Sequence, residues 1–383
     1  MVLLVPLFLA QRHDVKKSHA VGIRLGASKL APGMPEPDAE SPLPGIQKEW
    51  QNLQSLKGGQ GLGLGQYFKE LAQFGSRHGT AAVPFLRGLL TDSDWQVRGA
   101  VLRALGATGS PEAQGILKQF IRPDAVLEDA AQATLALGEM EDPAITGWLR
   151  QQWQTMPEGD LKRCLLDTLA GRPYEQTRDF FPALLQNPGV DPEVKASVLS
   201  NLGFHQEAPL PLITPFLASG DATLRAGAYD AMIFRPEARL GQQLIRQSAQ
   251  ETEPSLRSKA YEAAGNQLDA TAQQMAALAA NESNPVARLR AERAWGMAVG
   301  RSENFEDRRR FDAEAVPRLL ASALQNPDPG EQRAALQALA MARTVGAKDA
   351  LLRISRESPS PRLAQLAEGL WKRLPDRVTT IPK

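Results

Sequence analysis

The sequence predicts an all-α fold, an α-solenoid of about nine helix pairs that form a curved superhelix. A sequence motif that begins a predicted helix recurs along the chain, at residues 95–106, 191–203 and 222–229. In the first copy, Val97, Val101 and Leu105 recur at helical spacing. A repeat of this length indicates a solenoid, because one helix pair cannot bury its apolar face alone and has to stack on its neighbours.

An apolar residue that directly precedes an Arg or Lys marks the register of the repeat. The clearest markers are Val97, Leu161, Val194, Leu224, Leu256 and Ala287, with weaker ones near Leu127, Gln332 and Pro361. Neighbouring markers lie about 30 to 34 residues apart, except for a gap of about 45 residues after Ala287. The longer gap predicts an insertion, which we assign to a loop at residues 301–314.

Each repeat is predicted to contain a first and a second helix with a short polar break between them. In the first repeat the helices cover residues 82–90 and 95–106, and the break contains Asp and Ser. These residues cap the second helix by accepting hydrogen bonds from its free N–H groups. Small residues, mostly alanines, line the second helices, which predicts a close approach between successive helix layers.

These features resemble HEAT repeats of the short bacterial variety. The family signature has a Pro in the first helix, an Asp at the turn and Val-Arg at the start of the second helix; here these are Pro84, Asp94, Val97 and Arg98. Later repeats depart from the signature, with Leu or Ala in place of the Val and Lys in place of the Arg. The resemblance covers about three quarters of the chain. It implies the fold and leaves the function open, because HEAT arrays serve many unrelated purposes.

Composition divides the chain into four segments. Residues 1–45 contain an apolar start and a Pro-rich acidic linker, and residues 46–79 form a helical cap with a Gly-rich hinge. The solenoid covers residues 80–374, and residues 375–383 form a polar tail. The glycine run in the hinge is not expected to bind phosphate, because it lacks both a Gly-Lys-Ser/Thr ending and a βαβ setting.

The apolar start at residues 1–10 is shorter than the ~20 residues that a membrane span needs. Two interpretations stay open. The segment is either a truncated leader or membrane anchor, or an apolar arm that folds onto another surface. The first interpretation places the protein in the cell envelope, tethered or exported, and the second leaves it in the cytoplasm.

Composition and motifs give little support to nucleic-acid binding, to catalysis or to a metal or cofactor site. Lys and Arg number 44 against 43 Asp and Glu, which argues against an electrostatic grip of the whole protein on nucleic acid. The single Cys164 lies in an apolar run, which predicts a buried and unreactive thiol. None of the four histidines is followed by Glu, so we expect no metal site. No cofactor motif is present, and we expect no cofactor.

One equivalent position in successive repeats carries basic residues, which we call the basic ladder: Arg98, Lys162, Lys195, Arg225, Arg257 and Arg288. Stacked repeats would align them as a stripe for an anionic ligand. The resemblance to HEAT repeats implies instead that each residue pairs with a turn acid of its own or the next repeat, here Asp94, Asp191 or Asp221. We favour the second interpretation, in which the pairs restrain the twist between repeats.

A second row lies five residues further along, and we call it the second-helix row: Arg103, Asp167, Ser200, Asp230, Glu262 and Arg293. In a HEAT superhelix the second helices line the concave surface, so the resemblance implies that this row faces solvent or a partner. Its charged members, Arg103, Asp167, Asp230, Glu262 and Arg293, are therefore candidate partner-binding residues. The alternative is an ordinary solvated surface.

The predicted loop at residues 301–314 supplies three further candidates, Arg308, Arg309 and Arg310. A loop inserted in one repeat sits at the edge of a solenoid and can carry binding function. The consecutive arginines would attract an acidic surface or phosphate groups. The alternative is a mobile, solvated loop without a ligand.

The sequence therefore favours a non-catalytic scaffold that binds a protein partner on the concave face of a HEAT-repeat array, with a membrane tether if residues 1–10 are an anchor. Two alternatives come from families with HEAT-like repeats. One is a nucleic-acid-binding protein similar to the alkylpurine DNA glycosylases, against which the neutral charge and the acidic middle of the second-helix row argue. The other is an enzyme similar to the phycobilin lyases, for which no diagnostic site is visible.

Overall fold

The computed structural model describes residues 44–58, 64–92 and 94–374, and this part of the chain contains helices and no β-strand. The chain divides into two compact units, Met1–Thr177 and Arg178–Lys383. Within each unit, successive second helices pack side by side and the first helices pack on them. This arrangement confirms the predicted all-α solenoid of helix pairs. The apolar start and linker, the centre of the glycine run and the polar tail lie outside the described residues.

The first unit contains the cap and the first repeats. Its helices are α1 (Pro44–Gly58), α2 (Leu64–His78), α3 (Val83–Arg87), α4 (Trp95–Ala107), α5 (Pro111–Gln119), α6 (Leu127–Glu139), α7 (Ala144–Thr155) and α8 (Asp160–Ala170). Helices α2, α4, α6 and α8 form one layer of neighbours. Glu49 on α1 accepts a hydrogen bond of 2.7 Å from the His78 ring at the end of α2, and it also pairs with Arg77. These contacts fasten α1 to α2.

The second unit continues the same pattern. Its helices are α9 (Phe180–Gln186), α10 (Pro192–Leu202), α11 (Ala222–Phe234), α12 (Gly241–Gln250), α13 (Pro254–Asn266), α14 (Ala272–Asn281), α15 (Pro285–Arg301), α16 (Phe305–Glu314), α17 (Val316–Gln325), α18 (Pro329–Ala342), α19 (Val345–Glu357) and α20 (Pro361–Arg373). The second helices α10, α11, α13, α15 and α18 stack in that order. Before α11, two short 3₁₀ helices, Leu210–Leu212 and Thr214–Ala218, take the place of a first helix.

Polar residues begin the second helices as the sequence predicts. The Asp94 carboxylate accepts a hydrogen bond of 2.8 Å from the Gln96 N–H, and Asp191 accepts one of 2.7 Å from Glu193. Asp221 accepts hydrogen bonds from the N–H groups of both Thr223 and Leu224. Each cap satisfies backbone donors that have no partner inside the helix.

Glycine and alanine allow the second helices to approach each other closely. A methyl group added to Gly227 on α11 would lie 2.5 Å from the Ala196 carbonyl oxygen on α10. At the other end of the same helix pair, a methyl group on Gly203 would lie 2.4 Å from the Ala231 carbonyl oxygen. Similar contacts join later layers, Gly265 to Ala294 and Gly296 to Ala338. The predicted close packing of small residues is confirmed. The closest approaches between second helices occur at glycines.

Side chains from one repeat cap the carboxyl ends of second helices in the repeat before it. The buried Arg172 guanidinium donates to the carbonyl oxygens of Gly138, at 3.0 Å, and Asp142, at 2.9 Å. Arg301 donates to the carbonyl oxygens of Gly265 and Gln267 in the same way. Gly138 and Gly265 lie in the last turns of their helices, where carbonyl oxygens lack intrahelical partners, and the positive guanidinium also suits the negative end of the helix dipole.

The prediction of a loop at residues 301–314 is wrong. Helix α15 continues to Arg301, and residues 305–314 form the additional helix α16. Asn304 caps α16 by accepting a hydrogen bond of 2.9 Å from the Glu306 N–H. Phe311 on α16 is fully buried and packs edge-on against Trp295, with ring centroids 5.1 Å apart. The insertion is a helix because it has its own cap and an apolar anchor.

Candidate functional site: the charged positions of the second helices

The basic ladder has one backbone contact that repeats along the chain. Each of its four arginines donates to the carbonyl oxygen of the residue six positions earlier, at the turn before its own helix. The distances are 2.8 Å from Arg98 to Asp92, 2.9 Å from Arg225 to Ser219, 2.9 Å from Arg257 to Glu251 and 2.7 Å from Arg288 to Glu282. The ladder arginines thus hold the turn that joins the first helix to the second.

Two consecutive repeats extend this contact into a clamp that joins neighbouring repeats. Glu251, at the end of α12, accepts hydrogen bonds from Arg225 Nε at 2.7 Å and Nη2 at 3.0 Å and from the Tyr229 hydroxyl at 2.8 Å. One repeat later, Glu282 accepts hydrogen bonds from Arg257 at 2.6 and 3.1 Å and from the Tyr261 hydroxyl at 2.9 Å. We call these two sites the Arg–Tyr–Glu clamps.

The interpretation of the ladder as a set of ion pairs between repeats holds at Arg98, Arg225 and Arg257, but the proposed acidic partners are wrong. Asp94, Asp191 and Asp221 are occupied as helix caps. Arg98 pairs instead with Asp129 on α6, at 2.9 Å. An acid at the cap accepts from the N–H groups of its own helix, and in the clamps the guanidinium takes its hydrogen bonds to another carboxylate. Lys162 pairs with Glu158 of its own repeat at 2.6 Å.

Burial makes the clamp carboxylates strong hydrogen-bond acceptors. Only 2% of the Glu282 side chain and 7% of the Glu251 side chain are exposed. Hydrogen bonds from Arg257 outweigh the cost of burial and lower the pKa of Glu282 to about 2. Burial and the hydrogen bond to Glu282 raise the pKa of Tyr261 to about 12, so its hydroxyl stays a donor.

This pKa predicts a loss of stability in acid that is specific to Glu282. The ordinary pKa of 4.5 falls to about 2 in the fold, so the contribution is present above pH 4.5 and disappears as the pH falls through about 2. It amounts to about 3 kcal/mol. We expect the free energy of unfolding, measured with urea at pH 7 and at pH 2, to fall more in the wild type than in Glu282→Gln. The difference between the two falls should equal this contribution. Parallel losses in the two proteins would contradict the assignment.

The second-helix row is less exposed than predicted. Arg103 and Asp167 in the first unit are half-buried. In the second unit Lys259 binds Asp230, and Glu262 pairs with Arg293 at 2.8 Å and with Arg290 at 3.5 Å. Only 29% of the Asp230 side chain and 14% of the Glu262 side chain are exposed. In the second unit the row is therefore a mixed-charge strip, and its acids are paired with basic residues of neighbouring helices.

The three arginines of the insertion have different surroundings. Arg308 donates to the Ser302 carbonyl oxygen at 3.0 Å, which repeats the six-residue contact of the ladder. Arg310 lies over the Trp295 ring and pairs with Glu314 at 2.9 Å. Arg309 remains 72% exposed and reaches Glu306 only at 3.9 Å. They do not form one continuous basic patch, because successive helical residues point in different directions.

The described residues contain no group of three or more His, Cys, Asp and Glu side chains that could hold a metal ion. Cys164 is half-buried, and burial raises the pKa of its thiol to about 11, which disfavours the nucleophilic thiolate. Across 44–58, 64–92 and 94–374, no helix has both the length and the apolar character that a membrane crossing requires.

A family model for HEAT repeats matches residues 65–138. This stretch runs from α2 to near the end of α6, and the match confirms the resemblance seen in the repeat signature. No curated protein matches the sequence.

Proposed function

We propose that this chain, which carries HEAT repeats, is a non-catalytic scaffold that binds a partner protein along the surface of its second helices. HEAT repeats form helical scaffolds that are typically used for protein interaction. The finer proposal concerns where the partner binds. Its candidates are Arg103 and Asp167 in the first unit and Asp230, Glu262 and Arg293 in the second.

The observation that carries this proposal is the mixed-charge strip on successive second helices of the second unit. Asp230 and Lys259 lie on α11 and α13, and Glu262 and Arg293 lie on α13 and α15. Their side chains remain partly exposed, while the neighbouring positions toward the core are buried. Such a strip offers both donors and acceptors at a fixed spacing, which gives specificity to a protein interface.

The same strip supports a protein partner over a nucleic acid. A duplex is bound through many Lys and Arg contacts to phosphate. Here the basic residues Lys259, Arg290 and Arg293 are each paired with a carboxylate. The positive charge available for phosphate is therefore small along this surface.

Crosslinking with mass spectrometry of the full chain in its native host would test the proposal. The sharpest variant exchanges the pair, Asp230→Lys with Lys259→Asp, because it keeps an ion pair and reverses the polarity that a partner meets. We expect crosslinks at the second helices to fall by about tenfold. A matched exchange of the exposed pair on α20, Glu368→Lys with Lys372→Glu, should leave them unchanged.

Two results would contradict the scaffold proposal. One is the absence of any reproducible crosslink to the second helices of the wild type. The other is catalytic turnover of a defined substrate. A membrane tether through residues 1–10 is a separate part of the proposal, and comparing the fractionation of the full chain with that of a chain lacking these residues would test it.

A further inference from the structure

Three successive repeats of the second unit contain equivalent positions at the end of the first helix. These positions are Glu251, Glu282 and Asn326, which end α12, α14 and α17. The carbonyl oxygen of each accepts a hydrogen bond from the residue six positions later. In the third repeat this donor is Gln332, at 2.8 Å. The shared contact shows that Asn326 occupies the place of the clamp glutamates.

The clamp is therefore incomplete in the third repeat. Arg288 is the ladder residue that corresponds to Arg225 and Arg257, but the next repeat offers it Asn326 in place of a glutamate. Among the described residues no carboxylate lies within ion-pair distance of Arg288. Its Nε and Nη2, the edge that binds the carboxylate in the two complete clamps, both donate to the Glu282 carbonyl oxygen.

An open cleft lies at this incomplete clamp. It has a volume of about 490 Å³ and lies between the first half of α15 and helix α17. Arg288, Glu292 and Asn326 line it, together with Arg318 and the half-exposed Val286. In this repeat the inserted helix α16 separates α15 from α17 in the chain. The cleft thus leaves space at Asn326, where the two complete clamps have a glutamate.

The charges around the cleft favour an acidic ligand. The carboxylates that line it already have partners: Glu292 accepts from Arg318 at 2.6 Å, and Glu331 accepts from Arg290 at 3.0 Å. Within the described ranges Arg288 has no ion-pair partner of its own, although its charge acts on Glu292, and 48% of the Arg318 side chain is exposed. A carboxylate could bind Arg288 in two-point geometry, the strong arrangement for guanidinium, once its Nε and Nη2 turn from the Glu282 carbonyl oxygen. Nη1 would then take the carbonyl oxygen, as it does in the two complete clamps. The methylene groups of the bound side chain would lie against Val286 and Leu289.

We propose that this cleft binds a glutamate or aspartate side chain of the partner protein, in the place that Glu251 and Glu282 occupy in the two preceding repeats. The inference rests on the proposed scaffold function and adds the chemistry of the partner. It assigns Arg288 as the main contact and Arg318 as the second. The two complete clamps in the same chain provide the template for the contact between guanidinium and carboxylate. Glu292 stands where they have a tyrosine, so no hydroxyl takes part.

Fluorescence anisotropy of the full chain with labelled peptides would test the cleft. The probe is a Gly-Ser peptide with a central run of glutamates, and matched peptides carry Gln or Lys in its place. At low salt we expect the glutamate peptide to bind about tenfold more tightly than the glutamine peptide. Arg288→Gln should remove most of this preference.

The most informative variant is Asn326→Glu, which supplies the missing carboxylate from within the chain. It should weaken binding of the glutamate peptide by about tenfold, because the internal side chain now occupies Arg288. It should also raise the melting temperature, whereas a damaged fold would lower it. Arg353→Gln is the matched control for the loss of one positive charge, since Arg353 is 58% exposed and lies on α19.

Equal binding of the glutamate and glutamine peptides would overturn the proposal. So would equal affinities for the Asn326→Glu variant and the wild type. This failure differs from failure of the scaffold proposal. A partner that crosslinks equally well to the wild type and to Asn326→Glu would leave the scaffold intact and reject the cleft. Without any partner crosslink, the scaffold proposal itself would fail.

Discussion

Replacing Glu282 by Ala is expected to lower the free energy of unfolding by about 3–5 kcal/mol. The change removes a side chain that is only 2% exposed and that accepts hydrogen bonds from both Arg257 and Tyr261. The Nε and Nη2 groups of Arg257 and the buried Tyr261 hydroxyl then lose their acceptor in a site that water hardly reaches. Most of the expected loss comes from these uncompensated donors and less from the clamp itself.

The loss of stability in Glu282→Ala should appear first in the helices near Glu282 and only then in the whole unit. Hydrogen exchange should quicken first in α13, α14 and α15, because the Glu282 side chain joins α13 of one repeat to the next repeat, α14 and α15. The matched control is Glu357→Ala, whose exposed carboxylate pairs with Arg353 within one helix. It should leave the free energy of unfolding almost unchanged, because exposed ion pairs contribute little. A similar loss in both variants would contradict the structural importance of the clamp.

The parts of the fold that depend on local sequence could be predicted. The caps Asp94, Asp191 and Asp221 lie beside the N–H groups that they bind, so their role follows from position alone. The alanine and glycine content of the second helices likewise indicated close layers. Helical periodicity and capping act over a few residues, and a repeat presents the same local signals several times.

The partners of the charged residues could not be predicted, because they depend on how repeats stack. Glu251 and Glu282 reach arginines 26 and 25 positions earlier in the chain. One signal was available: an Arg followed four residues later by a Tyr occurs at Arg225 and Tyr229 and again at Arg257 and Tyr261. On a helix this spacing places both side chains on one face, so it pointed to a shared acceptor.

The additional helix α16 was missed because most of its residues are charged and only Phe311 is buried. Its apolar signal is too weak to show helical periodicity. The exposure of the second-helix row was overestimated for a related reason. Asp230 and Glu262 face away from the core of their own repeat, but Lys259 and Arg293 of neighbouring helices cover them.

Replacing Gly227 by Ala is expected to lower the free energy of unfolding by about 2–3 kcal/mol, although alanine is the better helix former. The added methyl group would meet the backbone of Ala196, with the carbonyl oxygen at 2.5 Å and Cα at 2.6 Å. Backbone atoms cannot rotate away as a side chain can, so α10 and α11 have to separate. The second contact, Gly203 on Ala231, then opens as well, because both lie between the same two helices.

Gly115→Ala in α5 is the control that isolates packing from helix propensity. Apart from its chain neighbours and the backbone of its own helix, no atom of the described residues would lie within 4 Å of the added methyl group, and Gly115 is exposed. This variant should gain about 0.5–1 kcal/mol, because alanine loses less backbone entropy on folding. If urea unfolding shows that Gly227→Ala lowers the free energy of unfolding and Gly115→Ala raises it, the contacts at glycine set the distance between the helix layers. A gain in stability for Gly227→Ala would mean that the helices can separate without cost, and the close Gly–Ala contacts would then not set the spacing of the repeats.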